Sequence, residues 1–545
     1  MTPRQQKYLM ILLIAGTAIQ TFVLLTRTIP LGVPGEWVWL RVPAGTVLAF
    51  NLSCTLIVLL LYFVFLRWGI SIISRCTLIK KNALLVALCL ASMTVMWNLK
   101  AIPGHIFGHA SMSWVTYYPR MSGYFTEAVS GKQSTSQFLA NYEQAATEGD
   151  YLHQGTHPPG LILYYRFLHN LSQSSPALTR IIIATETLEV TAGLDQLEDQ
   201  SSAGDHFLTA QQRATLWLSV LTTLFICAAS VIPIYFLLAR FTSPVIAFAF
   251  SGLWPLVPAA TLFAPKSDLL LAFFSALLVC LWIDAITSRK LLIAILAGLV
   301  LWAAMMTSLA IIVVAVILSL WTILDSARLF LKNKKEKTSF LKSIPLIPLA
   351  GIFAGLLLPC LLMWNLFDLN LLSVWLINLS KHAEFYEHNS RTFSLWLLVN
   401  PIEMAFSLGM PLFILIIYTC YQIIKGRLFS SSSFISSSSF ISSSSFFSSS
   451  SFFSSSSLLS LSVVGVWLLL VLSGKNMGEA ARLWIFLLPL MLTVAALAWS
   501  PTSLEKEKTE AEPFPLSLWT SLFITQALLA LVTIATIDPF GFTAV

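Results

Sequence analysis

Residues 269–287 read LLLAFFSALLVCLWIDAIT. Over this run the only ionisable side chain with a full charge is Asp284, close to its end, and apolar residues do not alternate with polar ones. A barrel strand would alternate and would be half as long; a run of this length matches one helical passage through a bilayer core about 30 Å thick. Ala264-Pro265-Lys266-Ser267-Asp268 precedes it and Arg289-Lys290 follows it, so ionisable residues bracket the apolar stretch. In lipid the backbone must satisfy its own hydrogen bonds, which leaves helices and closed barrels. The pattern recurs, and the chain reads as an all-α, polytopic transmembrane bundle.

Twelve further runs of this kind bring the expected span count to about thirteen: 8–26, 46–66, 82–99, 214–239, 244–262, 291–307, 309–326, 343–364, 406–424, 458–473, 483–499 and 517–537, together with 269–287. The 291–326 stretch reads equally as a hairpin of two spans or as one kinked element. Composition supports the class. Charged residues make up 10% of the 545, against roughly 25% in soluble domains, and apolar residues reach 57% with a mean hydropathy of +0.80. The net charge of +7 does not imply nucleic-acid binding, because the basic residues cluster beside apolar runs. The seven cysteines lie in or beside the expected spans and form no CxxC pair, so neither a disulfide framework nor a zinc site is expected. The first apolar run has no clear small-residue cleavage site after it and reads as an uncleaved helix.

Lysine and arginine set the expected orientation. With the N-terminus inside, Arg67, Arg75, Lys80, Lys81, Arg240, Arg289, Lys290 and the basic run from Arg328 to Lys342 fall inside, as do Lys425 and Arg427. Residues 101–212 then fall outside and carry four basic against ten acidic residues, a balance of −6. All eight histidines also fall in expected external segments. The expected organisation is therefore N-terminal transmembrane helices over 1–100, a large extracytoplasmic loop with amphipathic surface helices over 101–212, transmembrane helices over 213–428, a Ser-rich cytoplasmic linker over 429–457, and C-terminal transmembrane helices over 458–545. The linker repeats four serines and two apolar residues with a six-residue period, which places no stripe on a helix; it reads as disordered and dispensable. Within the loop, 135–148 reads as helical. Residues 158–172, opening on Pro158-Pro159 and carrying Leu161, Leu163, Tyr164, Phe167 and Leu168, read as a helix lying on the membrane surface.

Four short motifs stand out. They are Thr156-His157-Pro158-Pro159-Gly160, the stretch Tyr117-Tyr118-Pro119-Arg120 with Ser122-Gly123-Tyr124-Phe125-Thr126-Glu127-Ala128, the Lys266-Ser267-Asp268-Leu269-Leu270 span opening, and Gly474-Lys475-Asn476-Met477-Gly478-Glu479-Ala480-Ala481-Arg482. Together, and in their order along the chain, they resemble the GT-C superfamily of integral-membrane glycosyltransferases that use polyprenyl-phosphate sugars, in particular the mannosyltransferase-like members. The layout fits most of the chain. The resemblance implies transfer of a hexose or pentose from a lipid-phosphate carrier on the extracytoplasmic face, with an external carboxylate as base or metal partner. An acceptor hydroxyl needs a base within hydrogen-bond reach, and the departing phosphate needs cations.

The chain departs from that pattern where the family places an acid before the aromatic stretch: Arg120, Met121 and Ser122 stand there. Glu127 is the nearest carboxylate, Asp150 the next, and Glu36 in Gly35-Glu36-Trp37 could fold over the same site. The expected catalytic residues are thus Glu127, Glu36 and His157. Asp268, Lys266, Arg482, Lys475, His382 and Arg391 are the expected substrate-binding residues. Each has an ordinary alternative: Glu36 pairing with Arg41, Lys266 with Asp268, His157 orienting the Pro-Pro turn, Arg482 anchoring a span. No metal site is assigned, and a divalent cation is left open as cofactor. The implied partners are a lipid-linked sugar donor and membrane lipids, not nucleic acid; the implied location is a bacterial inner membrane with the site outside. Two other classes compete. A transporter or flippase would place ionisable residues at mid-span with broken helices and an internal repeat. A catalytically silent membrane scaffold is the third.

Overall fold

A computed structural model describes residues 2–131, 133–149, 153, 155–202, 208–333, 344–432, 454–499 and 514–542. Most of the Ser-rich repeat, Asp150, His206 and the basic residues 334–342 lie outside the described residues. Among the described residues the fold is helical; strands are limited to four two-residue pieces. The chain is a multi-pass integral membrane protein by its helix composition. Among the described residues nine helical segments are long and apolar enough to span a bilayer: Pro3–Thr26, Ala49–Arg75, Leu78–Ala101, Ala210–Ala239, Ser267–Ser288, Leu309–Lys332, Leu346–Phe367, Ser455–Leu472 and Leu516–Thr536. The pair Phe393–Leu408 and Met410–Lys425 makes a tenth if counted as one, but its two halves meet at 111°.

The count of thirteen is therefore not reached. Residues 244–262 break at Pro255 and Pro258 into short pieces, because proline removes an amide and clashes with the preceding turn. The run 483–499 is likewise broken, leaving Ile485–Leu497 as a short apolar helix. Residues 291–307 form a separate helix shorter than a full span, so the 291–326 region is two elements and not one kinked helix. The run 406–424 starts inside the bent pair, whose break sits at Gly409 with φ +93°. The 244–262 and 483–499 segments are apolar for another reason than lipid. Phe248, Phe250 and Trp254 are fully buried in protein, as are Leu487 and Leu492. The helix Leu291–Thr307 crosses Leu346–Phe367 through glycines: a Cβ on Gly298 would lie 2.1 Å from Ile352 O, and one on Gly355 2.1 Å from Ile295 O. Small residues let the backbones approach where larger ones would hold them apart.

Between Leu78–Ala101 and Ala210–Ala239 the described residues form seven α-helices of 15 residues or fewer and one 3-10 turn. Residues 135–148 are two of them, Thr135–Ala140 and Tyr142–Glu148, parted at Asn141. Ser134 with Gln137 and Thr209 with Gln212 form capping boxes that start helices where side chains can satisfy the first amides. Gly160–Ser174 is the amphipathic helix expected over 158–172, but its apolar face turns to protein. Leu161 and Leu168 are buried against the bundle, Tyr164 hydroxyl donates to Ser219 O (3.5 Å), and Phe167 and Leu171 are its exposed apolar side chains. Its first turn is pressed onto the end of Leu291–Thr307, since a Cβ on Gly160 would lie 2.2 Å from Met306 O. An amphipathic pattern reports one apolar face, not what covers it, and here that face is covered by the bundle.

These short helices, residues 27–48, the start of Ser267–Ser288, the 368–392 connection and the 473–482 turn all gather at one end of the bundle. Leu40–Arg41 pairs with Ile537–Asp538, and Val47 bridges Pro103 there. This loop-bearing end carries the candidate site.

Candidate functional site

Asp268 and Lys266 sit on the first turn of Ser267–Ser288, where the chain leaves the Ala264-Pro265 corner. Lys266 Nζ donates to Met121 O, which ties this span to the Tyr118–Gly123 turn. Gly123, with φ +73°, ends that turn and starts the helix Tyr124–Ser130; the left-handed backbone is one glycine adopts freely. Arg482 comes from the opposite side, on the short helix Ala480–Leu483. Its Nη2 donates to Glu479 Oε2 at 2.6 Å, and its Nε lies 3.9 Å from Asp268 Oδ2. That separation is an ion pair but not a hydrogen bond, and Nε is buried without a hydrogen-bond partner.

His157 completes the cluster. Its ring stands edge-on to Tyr124, with 5.5 Å between centroids. With Asp268, Ser267, Thr307 and Ser308 it lines a cavity of about 10 Å³, room for one water. Thr156 Oγ1 lies 3.2 Å from His153 O and 2.9 Å from His157 Nδ1, so this hydroxyl orients the imidazole ring. Burial, then His382, His153 and Lys266, pushes the His157 pKa well below its ordinary value, so the ring is neutral at pH 7. Burial, with the Arg482 charge next, lowers Lys266 to about 8, while Asp268 and Glu479 pull the other way. Burial works against the Arg482 charge, but Glu479 and Asp268 outweigh it and its pKa rises. Burial and the Asp268 charge raise Tyr124 well above the ordinary phenol value.

The other expected residues lie apart from this cluster to different degrees. Glu36 is engaged elsewhere: its carboxylate accepts from Thr392 N (3.0 Å) and Trp396 Nε1 (2.6 Å), and its carbonyl accepts from Arg391 Nη1 (2.7 Å). Those bonds, first that with Thr392, hold it below the usual carboxylate range despite partial desolvation. Arg391 Nε also donates to Met477 O (3.3 Å), so this arginine laces residues 36 and 477 together. The pairing of Glu36 with Arg41 is not made; Arg41 Nη1 donates instead to Leu24 O (3.2 Å). Glu127, one turn after Tyr124 on the same helix, acts through its charge on Tyr142 and Arg166; the Tyr142 hydroxyl in turn donates to His157 O (2.8 Å). His382 stands with its ring 6.4 Å from that of His157, and Lys475 is exposed beside it.

Glu479 and Tyr124 join the site although neither was singled out as a site residue. Glu479 was visible as the acid three positions before Arg482, the spacing at which side chains on a helical turn meet. Glu403 was also missed. It is 3% exposed within Phe393–Leu408, and its Oε2 accepts from Ala481 N at 3.2 Å, under the turn that carries Arg482. A lone acid in an apolar helix is a signal in itself, but the expected span began after it, at 406. Among the described residues no group of three or more His, Cys, Asp or Glu is placed to hold a metal ion. No protein-family model matches the chain, and no curated protein matches it either.

Proposed function

We propose that the chain is an integral-membrane glycosyltransferase that moves a sugar from a polyprenyl-phosphate carrier to an acceptor hydroxyl at the loop-bearing end. The observation that carries this reading is the meeting of two cations, Lys266 and Arg482, with a carboxylate and a neutral imidazole from distant parts of the sequence. In the reaction the acceptor oxygen bonds to the sugar's anomeric carbon. The bond from that carbon to the phosphate oxygen breaks, its electron pair leaves with the lipid phosphate, and the hydroxyl proton passes to the base. Arg482 has an unused N–H for the developing phosphate charge, and Lys266 adds a second positive charge. Asp268 or the neutral His157 ring accepts the proton; Glu36, already saturated, is assigned to holding the 391–396 segment. The one-water cavity requires the covering chain to open for the donor, and the helix end that carries His382 stands over His157. The basic residues Arg67, Arg75, Lys80, Lys81, Arg240, Arg289 and Lys290 lie at the opposite end of the helices. By the positive-inside rule this arrangement supports an outward-facing site.

The test is reconstitution with a radiolabelled polyprenyl-phosphate sugar and a panel of sugar acceptors. Wild type should transfer label, and Asp268→Asn and His157→Ala should fall by about 10²–10⁴-fold for whichever acts as the base. No transfer by wild type rejects the reading.

One observation favours a second reading. The 111° break at Gly409 beside the buried Glu403 is the broken span with an interior acid that a transporter or flippase would carry. A fluorescent polyprenyl phosphate in proteoliposomes, quenched from outside by dithionite, distinguishes the two. Protein-dependent loss of the protected half without sugar transfer supports the flippase.

A further inference from the structure

The end of the bundle opposite the candidate site carries a pattern of its own, on the hairpin that joins Ala49–Arg75 to Leu78–Ala101. Arg67, Arg75, Lys80 and Lys81 lie on it; Arg75 and Lys80 are exposed, Arg67 and Lys81 partly so. Among the described residues none of these four side chains has a hydrogen bond or an ion pair. The two acids described at this end are taken elsewhere: Asp284 pairs with Arg240, and Asp325 with Arg328 at 2.8 Å. The cations continue an apolar face. Leu61, Val64 and Trp68 are each more than half exposed and lie three and four residues apart, so they share one side of their helix. The same spacing carries that side through the exposed Ser71 to Arg75. On the next helix Ile79, Val86 and Leu90 are also more than half exposed, at spacings of seven and four. Tryptophan favours the boundary between hydrocarbon and headgroups, so Trp68 sets the depth, and Arg75, two turns on, reaches the headgroups.

We propose that this hairpin binds an anionic phospholipid, with the phosphate on Arg75 and Lys80 and the acyl chains along the two exposed faces. The guanidinium of Arg75 offers a fork to the phosphate oxygens, and the lysines add point charges. A zwitterionic head would bring its own ammonium among four cations with no free acid to receive it. A free phosphate would answer the cations and leave the apolar faces without a role, whereas a lipid meets both. Cations that only set orientation need no continuous apolar face ending on them, and here Leu61, Val64 and Trp68 lead to Arg75. The inference does not depend on the transferase reading, since it concerns other residues at the other end of the helices.

The experiment uses the full chain in phosphatidylcholine nanodiscs doped with phosphatidylglycerol bearing a diazirine on its acyl chain, or with phosphatidylcholine bearing the same chain. Each is photolysed and the adducts are mapped by mass spectrometry. Phosphatidylglycerol should label residues 61–68 and 79–90 at least about fivefold more than phosphatidylcholine, the effect of one cation near the headgroup. The preference should shrink in high salt. Arg75→Gln with Lys80→Gln should bring the two lipids close to equal, and Arg289→Gln with Lys290→Gln, which removes the same charge from another connection, should leave the preference in place. Equal labelling of wild type by both lipids would overturn the proposal. So would an equal loss in the two double variants, which would mean attraction to a basic surface at large. The rival occupant is the connection before Phe514, which carries Glu505, Glu507, Glu510 and Glu512. A preference that emerges only when these four are changed to Gln would show that the chain itself neutralises the cations, and would also overturn the proposal. The lipid comparison is made on wild type, so a variant that fails to fold does not decide the outcome.

Discussion

Two arginines at the loop-bearing end have the same side chain and opposite circumstances. Arg213, 9% exposed, is saturated: it bonds Glu186 through Nε (3.0 Å) and Nη2 (2.6 Å), and reaches Asp195 at 2.7 Å and Glu198 at 3.3 Å through Nη1. Arg482 makes one bond, to Glu479, and faces Asp268 at 3.9 Å with a buried N–H unused. Residue type and partial burial are shared. What separates an arginine that holds a fold from one available to a ligand is whether its five donors are already taken.

The largest expected effect lies on the structural side. Arg213→Ala should destabilise the protein by about 3–5 kcal/mol, because it strands Glu186, whose side chain is 2% exposed. Thermal unfolding in detergent would measure this, and the same scan on Arg482→Ala should show a smaller loss. Equal losses would erase the distinction between the two arginines. Next is Arg482→Lys. It keeps the charge and loses the fork, so binding of a polyprenyl phosphate should weaken about tenfold with little change in unfolding temperature. Unchanged affinity would return Arg482 to the role of a span anchor.

Lys266 sharpens the contrast through pH. A base lowered to about 8 is charged below that pH and neutral above it. Affinity for a phosphate head should therefore be retained at pH 7 and fall through pH 8 to 9, and Lys266→Arg should flatten the curve. A flat wild-type curve would show that Lys266 does not face the phosphate. The smallest effect is expected for Glu36→Gln, in which the side-chain oxygen can still accept from Thr392 N and Trp396 Nε1. Transfer should stay close to wild type. Loss of transfer with the fold intact would put Glu36 back among the catalytic groups and weaken the case for Asp268.

The motif stretches at 156–160, 266–270 and 474–482 proved to be neighbours in space, and their residues carry most of the site. Glu36 was legible as a carboxylate near those motifs, but not as one already bonded to Thr392 and Trp396. Sequence distance says nothing about which of several nearby acids points inward. Gly160 was read as the end of a turn; only its 2.2 Å approach to Met306 O shows why a side chain there would part the loop from the bundle.

From composition and run length alone the chain is a helical, multi-pass membrane protein, because no soluble core could bury so much apolar surface and no lipid would tolerate an unpaired backbone. That information is local, and it holds wherever the neighbours are. Tertiary structure decided the rest. Ile485–Leu497 is as apolar as Leu346–Phe367, yet the first is enclosed by protein while 28% of the spanning window of the second is buried. Hydropathy measures aversion to water, and both lipid and protein satisfy it. Likewise Arg213 and Arg482 differ only in which acids the fold brings within reach of their guanidinium groups, and those distances exist only once the helices have packed.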